Sequence, residues 1–310
     1  MKVFIIGGTG FLGSHLVPKL VEQGHEVTVL TRNKNHKKII HQQGAKSLVG
    51  DIGDINSFMS HLSPQDLIIL LAMPGVHPGR KIRKKAFRYL KKVTKVFYNN
   101  ALHLGWKFNC PVILTQEASY ITGNNEVADE RWPLRRLGLA RSKEDIDNVI
   151  ANGQNAGIQT IQMLPAQIYG NGGVFKNIMV QWVQQGKFHI IGNGNNYIPR
   201  IHVEDLADAY VKAAEKLPVG DKFIIADDQA CTVKEFMNEL ADLLGAKRPR
   251  TIPVFMVQMR MKKIKYEQAL MNCRVSNRHA KETLGWTPRF PGYKEGLKDV
   301  VATIKAEQKQ

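Results

Sequence analysis

The stretch Val3-Phe4-Ile5-Ile6-Gly7-Gly8-Thr9-Gly10-Phe11-Leu12-Gly13 decides the fold of this chain. Four apolar residues predict a buried strand, and the helical apolar spacing from Phe11 to Gln23 predicts a helix. Glycines join the two in the pattern of a turn that binds a dinucleotide. We expect Gly7 to allow the tight turn, Gly10 to admit the pyrophosphate and Gly13 to let the helix pack close to the strand. The N–H groups at the helix start would then bind the phosphates.

Short apolar runs alternate with helical segments along the first half of the chain. The runs lie at 27–30, 47–49, 67–71, 112–114 and 160–164, and helices are expected near 54–62, 80–104 and 134–152. Because a helix must cover the sheet between parallel strands, this alternation predicts an α/β fold, a Rossmann-type doubly wound parallel sheet.

The alternation loosens after residue 165. Further helices are expected at 203–216, 232–244 and 292–307, with a strand at 222–226. We therefore expect a dinucleotide-binding core over residues 1–165. A smaller lobe over residues 166–310 would mostly bind substrate, with some segments returning to the core.

The composition is that of a soluble globular chain. It has 310 residues, of which 43% are hydrophobic and 23% charged, so intrinsic disorder is excluded. There is no apolar run of about 18 residues and no signal peptide at the N-terminus, which favours a cytoplasmic protein without a transmembrane segment. Cys110, Cys231 and Cys273 lie far apart and predict free thiols. No histidine pair has metal-ligand spacing, so no metal is expected.

Two segments carry nearly all of the net charge of +17. Residues 80–95 hold nine basic residues and residues 247–265 hold seven, and neither segment contains an acid. The first segment also has helical apolar spacing, which predicts an amphipathic helix with a basic outer face. Weak, salt-sensitive polyanion binding through both segments is one expectation, and a solvated basic face is the alternative.

The end of the second strand bears on the choice of cofactor. An acid there would bond the ribose 2′-hydroxyl of NAD, whereas an arginine accommodates the 2′-phosphate of NADP. The chain has Thr31-Arg32-Asn33-Lys34, which favours NADP and leaves NAD as the alternative. Arg32 could instead stack on the adenine or lie in solvent. Asp51 could accept from the adenine amino group or cap the next helix.

Several motifs in order give the chain a family resemblance. They are the Gly7–Gly13 turn, Gly50-Asp51-Ile52, Leu70-Leu71-Ala72-Met73-Pro74-Gly75, Leu164-Pro165-Ala166-Gln167-Ile168-Tyr169-Gly170, Arg200-Ile201-His202-Val203-Glu204-Asp205-Leu206-Ala207 and Leu284-Gly285-Trp286-Thr287-Pro288. In these the chain resembles the extended or atypical branch of the short-chain dehydrogenase/reductase superfamily, and more narrowly the NAD-dependent epimerase/dehydratase family.

The resemblance implies a seven-stranded parallel sheet and a Ser/Thr–Tyr–Lys catalytic set. The Tyr phenol would act as acid and base, with the Lys lowering its pKa and holding the nicotinamide ribose. The implied cofactor contacts are Gly7, Thr9, Gly10, Phe11, Leu12, Gly13, Arg32, Asp51, Ile52, Ala72, Lys143 and Pro165.

The catalytic positions depart from the family pattern. Lys143 is present in Leu139-Ala140-Arg141-Ser142-Lys143, but Leu139 stands where the family has its Tyr. The Ser/Thr position falls on Gln116, with Thr115 one residue before it. Thr115, Tyr120 and Lys143 are therefore the candidate catalytic residues, and Tyr120 is a possible substitute phenol that more simply packs near the substrate.

Three functions stay open at this point. The first is an NADP(H)-binding oxidoreductase or epimerase-like enzyme, acting on a nucleotide-sugar or small carbonyl compound with a degenerate catalytic set. The second is a non-catalytic dinucleotide-binding or sensor protein. The third is RNA, polyanion or acidic-membrane binding on the same fold, through residues 80–95 and 247–265. A monomer and a homodimer are both compatible with the sequence.

Overall fold

The structure, a computed structural model, describes residues 1–74, 84–123 and 125–307, except the side chains of Lys84, Leu139, Ile264 and Lys265. The strands are β1 Lys2–Ile6, β2 Glu26–Thr31, β3 Lys46–Val49, β4 Leu67–Leu70, β5 Val112–Thr115, β6 Thr160–Pro165, β7 Gln167–Tyr169, β8 His189–Ile191, β9 Arg200–His202, β10 Lys222–Ile225 and β11 Arg250–Ile252. The α-helices are α1 Phe11–Glu22, α2 Lys37–Gln42, α3 Lys84–Phe108, α4 Ile146–Asn155, α5 Gln181–Gln184, α6 Val203–Lys216, α7 Val233–Leu244, α8 Val254–Arg260, α9 Lys263–Tyr266, α10 Arg278–Leu284 and α11 Tyr293–Glu307.

A seven-stranded sheet runs in the order β10-β6-β5-β4-β1-β2-β3. β1 pairs in parallel with β2 on one side and with β4 on the other. Its residues Val3, Phe4 and Ile5 are completely buried, as expected of a parallel strand that is covered on both faces. The predicted Rossmann-type doubly wound sheet is confirmed.

The described chain divides into two compact units. The first contains residues 1–116, 140–163 and 207–222, and the second contains residues 117–139, 164–206 and 223–310. The core of the first unit includes Phe4, Ile68, Tyr98 and Leu114. In the second unit aromatic rings of Tyr169, Phe175 and Phe236 pack edge to face with leucines and valines of α7 and α11.

Most expected elements form where the pattern placed them, but two helices do not. Residues 54–62 form two 3₁₀ turns instead of an α-helix. Asp54 accepts the backbone N–H of Asn56 at 3.2 Å, and Ser57 donates to the Asp54 carbonyl at 2.6 Å. Such local side-chain bonds replace those of an α-helix.

The helix expected over 134–152 is also interrupted. Residues Gly138–Lys143 form a 3₁₀ helix, and α4 begins only at Ile146. Gly138 has a φ of +57°, which lies outside the right-handed helical region. Its N–H donates to the Glu267 carboxylate at 2.7 Å. Lys143 therefore sits at the end of a 3₁₀ turn and not within an α-helix.

Helix α3 is amphipathic, as its apolar spacing predicted. Leu90, Phe97 and Tyr98 are buried, while the side chains of Lys85 and Arg88 are exposed, as are those of Lys92 and Lys95. Lys91 lies 3.1 Å from the Asp145 carboxylate. Arg80, Lys81 and Arg83, at the start of the basic segment, lie outside the described residues. No helix in the described part of the chain combines the length and apolar character needed to cross a membrane.

Asp205 at the start of α6 connects two of the sequence motifs. It is 1% exposed, and its carboxylate accepts from the backbone N–H of Arg289 at 2.8 Å and of Phe290 at 2.9 Å. Its own carbonyl accepts from the Trp286 indole at 2.9 Å. A charged acceptor thus fixes the chain that follows the Leu-Gly-Trp-x-Pro motif.

We expect Asp205→Asn to lower the free energy of unfolding by about 2 kcal/mol, because the amide loses a charge-assisted bond and turns an N–H toward another N–H. Chemical denaturation measures the change. Glu215→Gln on the same helix is the matched control, since Glu215 contacts Lys212 in an exposed pair and should change stability by less than about 0.5 kcal/mol. Equal effects of the two changes would contradict the anchoring role of Asp205.

Candidate cofactor site

The glycine turn after β1 is shaped by backbone contacts. Gly7 has a φ of +97°, and a Cβ there would lie 2.6 Å from the backbone nitrogen of Ala72. A Cβ at Gly13 would lie 2.5 Å from the backbone of Gly8. Neither position can accept a side chain without moving the main chain, so the roles predicted for Gly7 and Gly13 agree with the geometry.

Gly10 differs from the other two glycines. Its φ is −82°, and among the described residues a Cβ there would meet only the Gly7 carbonyl, at 3.2 Å. The protein itself does not require glycine at this position. The open space above Gly10 suits the close approach of a pyrophosphate, which a side chain would block.

Helix α1 begins directly after Gly10 without a side-chain cap and without an acid in its first turn. Thr9 and Gly10 are exposed, Phe11 is partly exposed, and Leu12 is buried beneath the turn. The first N–H groups of a helix have no partner within it, and the helix dipole favours an anion at this end. The turn and the helix start therefore form a cradle whose donors fit the phosphates of a dinucleotide.

Four cations cluster after β2. Arg32, Lys34, Lys37 and Lys38 are all exposed, and no acid occurs between Glu26 and Asp51. Within the described residues the guanidinium of Arg32 makes no ion pair or hydrogen bond. The turn that carries these cations is ordered, because Asn33 accepts from the backbone N–H of Asn35 at 2.9 Å.

Asp51 follows β3 and stabilises a turn. Its Oδ1 accepts the backbone N–H of Gly53 at 2.8 Å, while Asp54, and not Asp51, caps the next 3₁₀ helix. Ile52 is buried, and its carbonyl accepts from the Asn100 side chain at 2.6 Å. This bond uses only one carboxylate oxygen of Asp51. The contact between Asp51 and the adenine therefore stays a prediction.

The carboxyl ends of β4, β1, β2 and β3 lie side by side, because the strands are parallel neighbours. Ala72, the glycine turn, Arg32 and Asp51 are therefore brought to one edge of the sheet in the first unit. This edge is where open α/β sheets bind their ligands.

The hydroxyl of Thr115 at the end of β5 has a partner in the protein. Thr115 Oγ1 lies 2.6 Å from the phenol oxygen of Tyr210, and the Tyr98 phenol donates to the Thr115 carbonyl. Burial raises the pKa of the Tyr210 phenol above its ordinary value. Gln116 is also buried, and its amide donates to the Gln162 side chain at 2.8 Å.

Lys143 lies in the first unit and is partly exposed. Leu139, Tyr120 and Pro165 belong to the second unit. Tyr120 has no exposed surface, and the Pro165 carbonyl accepts from Ala118 N–H at 2.9 Å. The side chain of Leu139 is outside the described residues. The catalytic and cofactor roles of these residues stay predictions.

His202 is held inside the second unit. It is 2% exposed, and its Nδ1 accepts the Glu204 N–H at 3.3 Å. Its Nε2 lies 3.6 Å from the Asp299 carboxylate, and its ring packs against Phe290. This environment agrees with a structural role.

Comparison with known proteins identifies the family. The parallel sheet and glycine turn define a Rossmann-type α/β protein, and residues 3–226 match the NAD dependent epimerase/dehydratase family. The chain belongs to that family, which confirms the resemblance seen in its motifs.

Solved structures share the whole fold. The human epimerase family protein SDR39U1, crystallised with NADPH, has a TM-score of 0.79 and 21% identity, covering 97% of this chain and 99% of that one. A UDP-glucose 4-epimerase from Thermotoga maritima, crystallised with UDP-glucose, has a TM-score of 0.78 and 21% identity over 99% of this chain and 100% of that one.

A curated relative is the 3-beta-hydroxysteroid dehydrogenase of Mycolicibacterium neoaurum. It is 26% identical over 80% of this chain and 71% of the relative.

Several residues around the site were not predicted from the sequence. Lys37 and Lys38 next to Arg32 could have been found from the absence of acids between Glu26 and Asp51. Tyr98 and Tyr210 could not, because both are spaced as ordinary core residues of their helices, and Tyr210 is also distant from Thr115 in sequence.

Substitution by alanine should separate the functional glycine from the structural one. Gly10→Ala should leave the thermal unfolding midpoint nearly unchanged and weaken NADPH binding at least about tenfold, because the methyl group fills the phosphate cradle. Gly13→Ala should lower the free energy of unfolding by about 1–3 kcal/mol through its clash with the Gly8 backbone. Calorimetry measures both the unfolding of each variant and its affinity for NADPH. If Gly10→Ala bound NADPH normally, the cradle would be assigned wrongly.

Proposed function

We propose that the protein binds NADP(H) in preference to NAD(H) and acts as an oxidoreductase with a degenerate catalytic set. The exposed cations Arg32, Lys34, Lys37 and Lys38 at the end of β2 carry the proposal. They stand where the adenosine ribose of a bound dinucleotide lies in this fold, and a 2′-phosphate would supply the charge that complements them. The NADPH in the human structure of this fold adds support.

The residues present fit the cofactor in four places. The N–H groups that follow Gly10 would hold the pyrophosphate, Arg32 would hold the 2′-phosphate, and Asp51 would accept from the adenine. Lys143 would hold the nicotinamide ribose. The cofactor, when bound, supplies a hydride to a substrate carbonyl.

The substrate class we propose is a small carbonyl compound or a nucleotide-sugar. The first follows the relative named for a 3-beta-hydroxysteroid dehydrogenase, and the second follows the UDP-glucose complex. In either case a proton must reach the carbonyl oxygen as it becomes an alcohol, which general acid help accelerates by about 10²–10⁴-fold. Leu139 offers no proton, so turnover should be slow.

A non-catalytic, cofactor-sensing role is the second candidate. Leu139 and the Thr115–Tyr210 bond favour it, because the family phenol is absent and the nearby hydroxyl is bonded inside the core. Turnover measured over a panel of carbonyl compounds and nucleotide-sugars separates the two candidates, since a sensor would bind NADPH and show no product above a protein-free control.

Arg32→Asp should weaken NADPH binding by about 1–3 kcal/mol, through loss of a charge-assisted bond and repulsion of the 2′-phosphate. Affinity for NADH should fall much less, so NADH is the internal control in titration calorimetry. Lys107→Asp is a matched charge change on an exposed residue at the end of α3 and should leave both affinities unaltered. If the unmutated protein bound NADH as tightly as NADPH, or more tightly, the proposed role of Arg32 in selecting NADP would be wrong.

Leu139→Tyr alone should recover little activity, and Leu139→Tyr with Gln116→Ser should recover more. The phenol returns at the family spacing, but in a 3₁₀ helix residues four apart differ by about 120° around the axis, against about 40° in an α-helix. The double variant adds a hydroxyl that can orient the substrate oxygen. Initial rates of NADPH oxidation are the measurement.

Leu139→Met is the matched control and should leave cofactor affinity and rate unchanged. Robust turnover by the unmutated protein, unaffected by Leu139→Met, would contradict the degenerate catalytic set. Tyr120 would then be the first phenol to replace.

A further inference from the structure

Residues 250–263, which include α8, form a surface that is both apolar and cationic, named here the 250–263 surface. Phe255 is 60% exposed, Met259 73% and Met261 43%. Met259 is the most exposed large apolar side chain among the described residues. A single exposed apolar residue is normal on a protein surface, but three within seven residues form a patch of the kind that marks an interaction site.

Helix α8 has two apolar faces. Val257 is buried at 6% exposure, so its side of the helix lies against the protein. Phe255 and Met259 are four residues apart and therefore lie on one side of the helix, which the described residues leave uncovered. Burial of Val257 holds the helix in place while Phe255 and Met259 project from it.

Exposed cations flank these apolar side chains in the sequence. Arg250, Arg260, Lys262 and Lys263 are exposed, and none forms an ion pair with the described residues. Residues 247–265 contain no acid. Arg248, which bonds the Asp242 carboxylate at 2.6 Å, is different, because it already has an intramolecular counterion. The surface therefore complements a partner that is anionic and also accepts apolar groups.

We propose that the 250–263 surface docks the protein onto an anionic lipid bilayer. Phe255 and Met259 enter the boundary between headgroups and acyl chains, and the cations contact lipid phosphates. A bilayer suits the surface better than RNA does. Two of the three exposed apolar side chains are methionines, which offer no aromatic face for stacking on a base. The proposal does not depend on the cofactor site.

Flotation of the full chain with lipid vesicles tests the proposal. Vesicles of phosphatidylcholine with a minority of phosphatidylglycerol should bind the protein, vesicles of phosphatidylcholine alone should not, and binding should weaken as salt rises. Phe255→Ser with Met259→Ser should lower the partition coefficient about tenfold at unchanged charge. Arg260→Gln, Lys262→Gln and Lys263→Gln together should lower it at least tenfold, since each cation near an anionic surface contributes about fivefold.

The matched control removes the same charge from α3. Lys85→Gln, Arg88→Gln and Lys92→Gln together should change vesicle binding by less than about threefold. Thermal unfolding checks that each variant is folded, and Met259→Ser alone is a milder change that should still weaken binding.

Three results would overturn the proposal. The α3 variant could lose as much binding as the 250–263 variant, which would show that only net charge matters. The serine pair could bind vesicles normally, which would exclude insertion. Polyuridylate could bind more tightly than the anionic vesicles and be released by the same glutamine changes, which would assign the surface to RNA.

Discussion

The structure depends on backbone-to-backbone contact around the first strand. β1 lies inside the sheet, between β2 and β4, and the chain leaves it through a turn in which Gly7 approaches Ala72 and Gly13 approaches Gly8. These contacts fix the start of α1 relative to the ends of the neighbouring strands. The cradle for the phosphates is therefore a consequence of how the core closes.

The structure supports the expected cofactor binding and the expected catalysis to different degrees. At the ends of β1 to β4 lie the features proposed to bind a dinucleotide: the open helix start, the ordered cationic turn and the Asp51 turn. At the end of β5 the hydroxyl and amide groups of Thr115 and Gln116 bond other protein groups. The geometry thus supports the proposed cofactor site more strongly than the proposed catalytic positions, whose polar groups bond within the core.

The sequence was sufficient to predict the sheet and the glycine turn, because buried parallel strands are continuous apolar runs and Gly7 and Gly13 have steric reasons to be glycine. It was insufficient for residues 54–62 and 134–143. There, Asp54 bonds the local backbone, and Gly138 turns the chain through a bond to Glu267, which lies far along the sequence. The spacing of apolar residues along the sequence carries no information about hydrogen bonds of this kind. The partners of Thr115 were hidden for the same reason.

The bond from Gln116 to Gln162 has a consequence for any replacement of Gln116. The Gln116 amide donates to the side-chain oxygen of Gln162, which is only partly buried, so a serine at position 116 removes that donor at a cost of about 0.5–1.5 kcal/mol. A serine at position 116 therefore costs a hydrogen bond and by itself restores no phenol at position 139. The hydroxyl and the phenol are needed together, and the first of them carries a modest cost in stability.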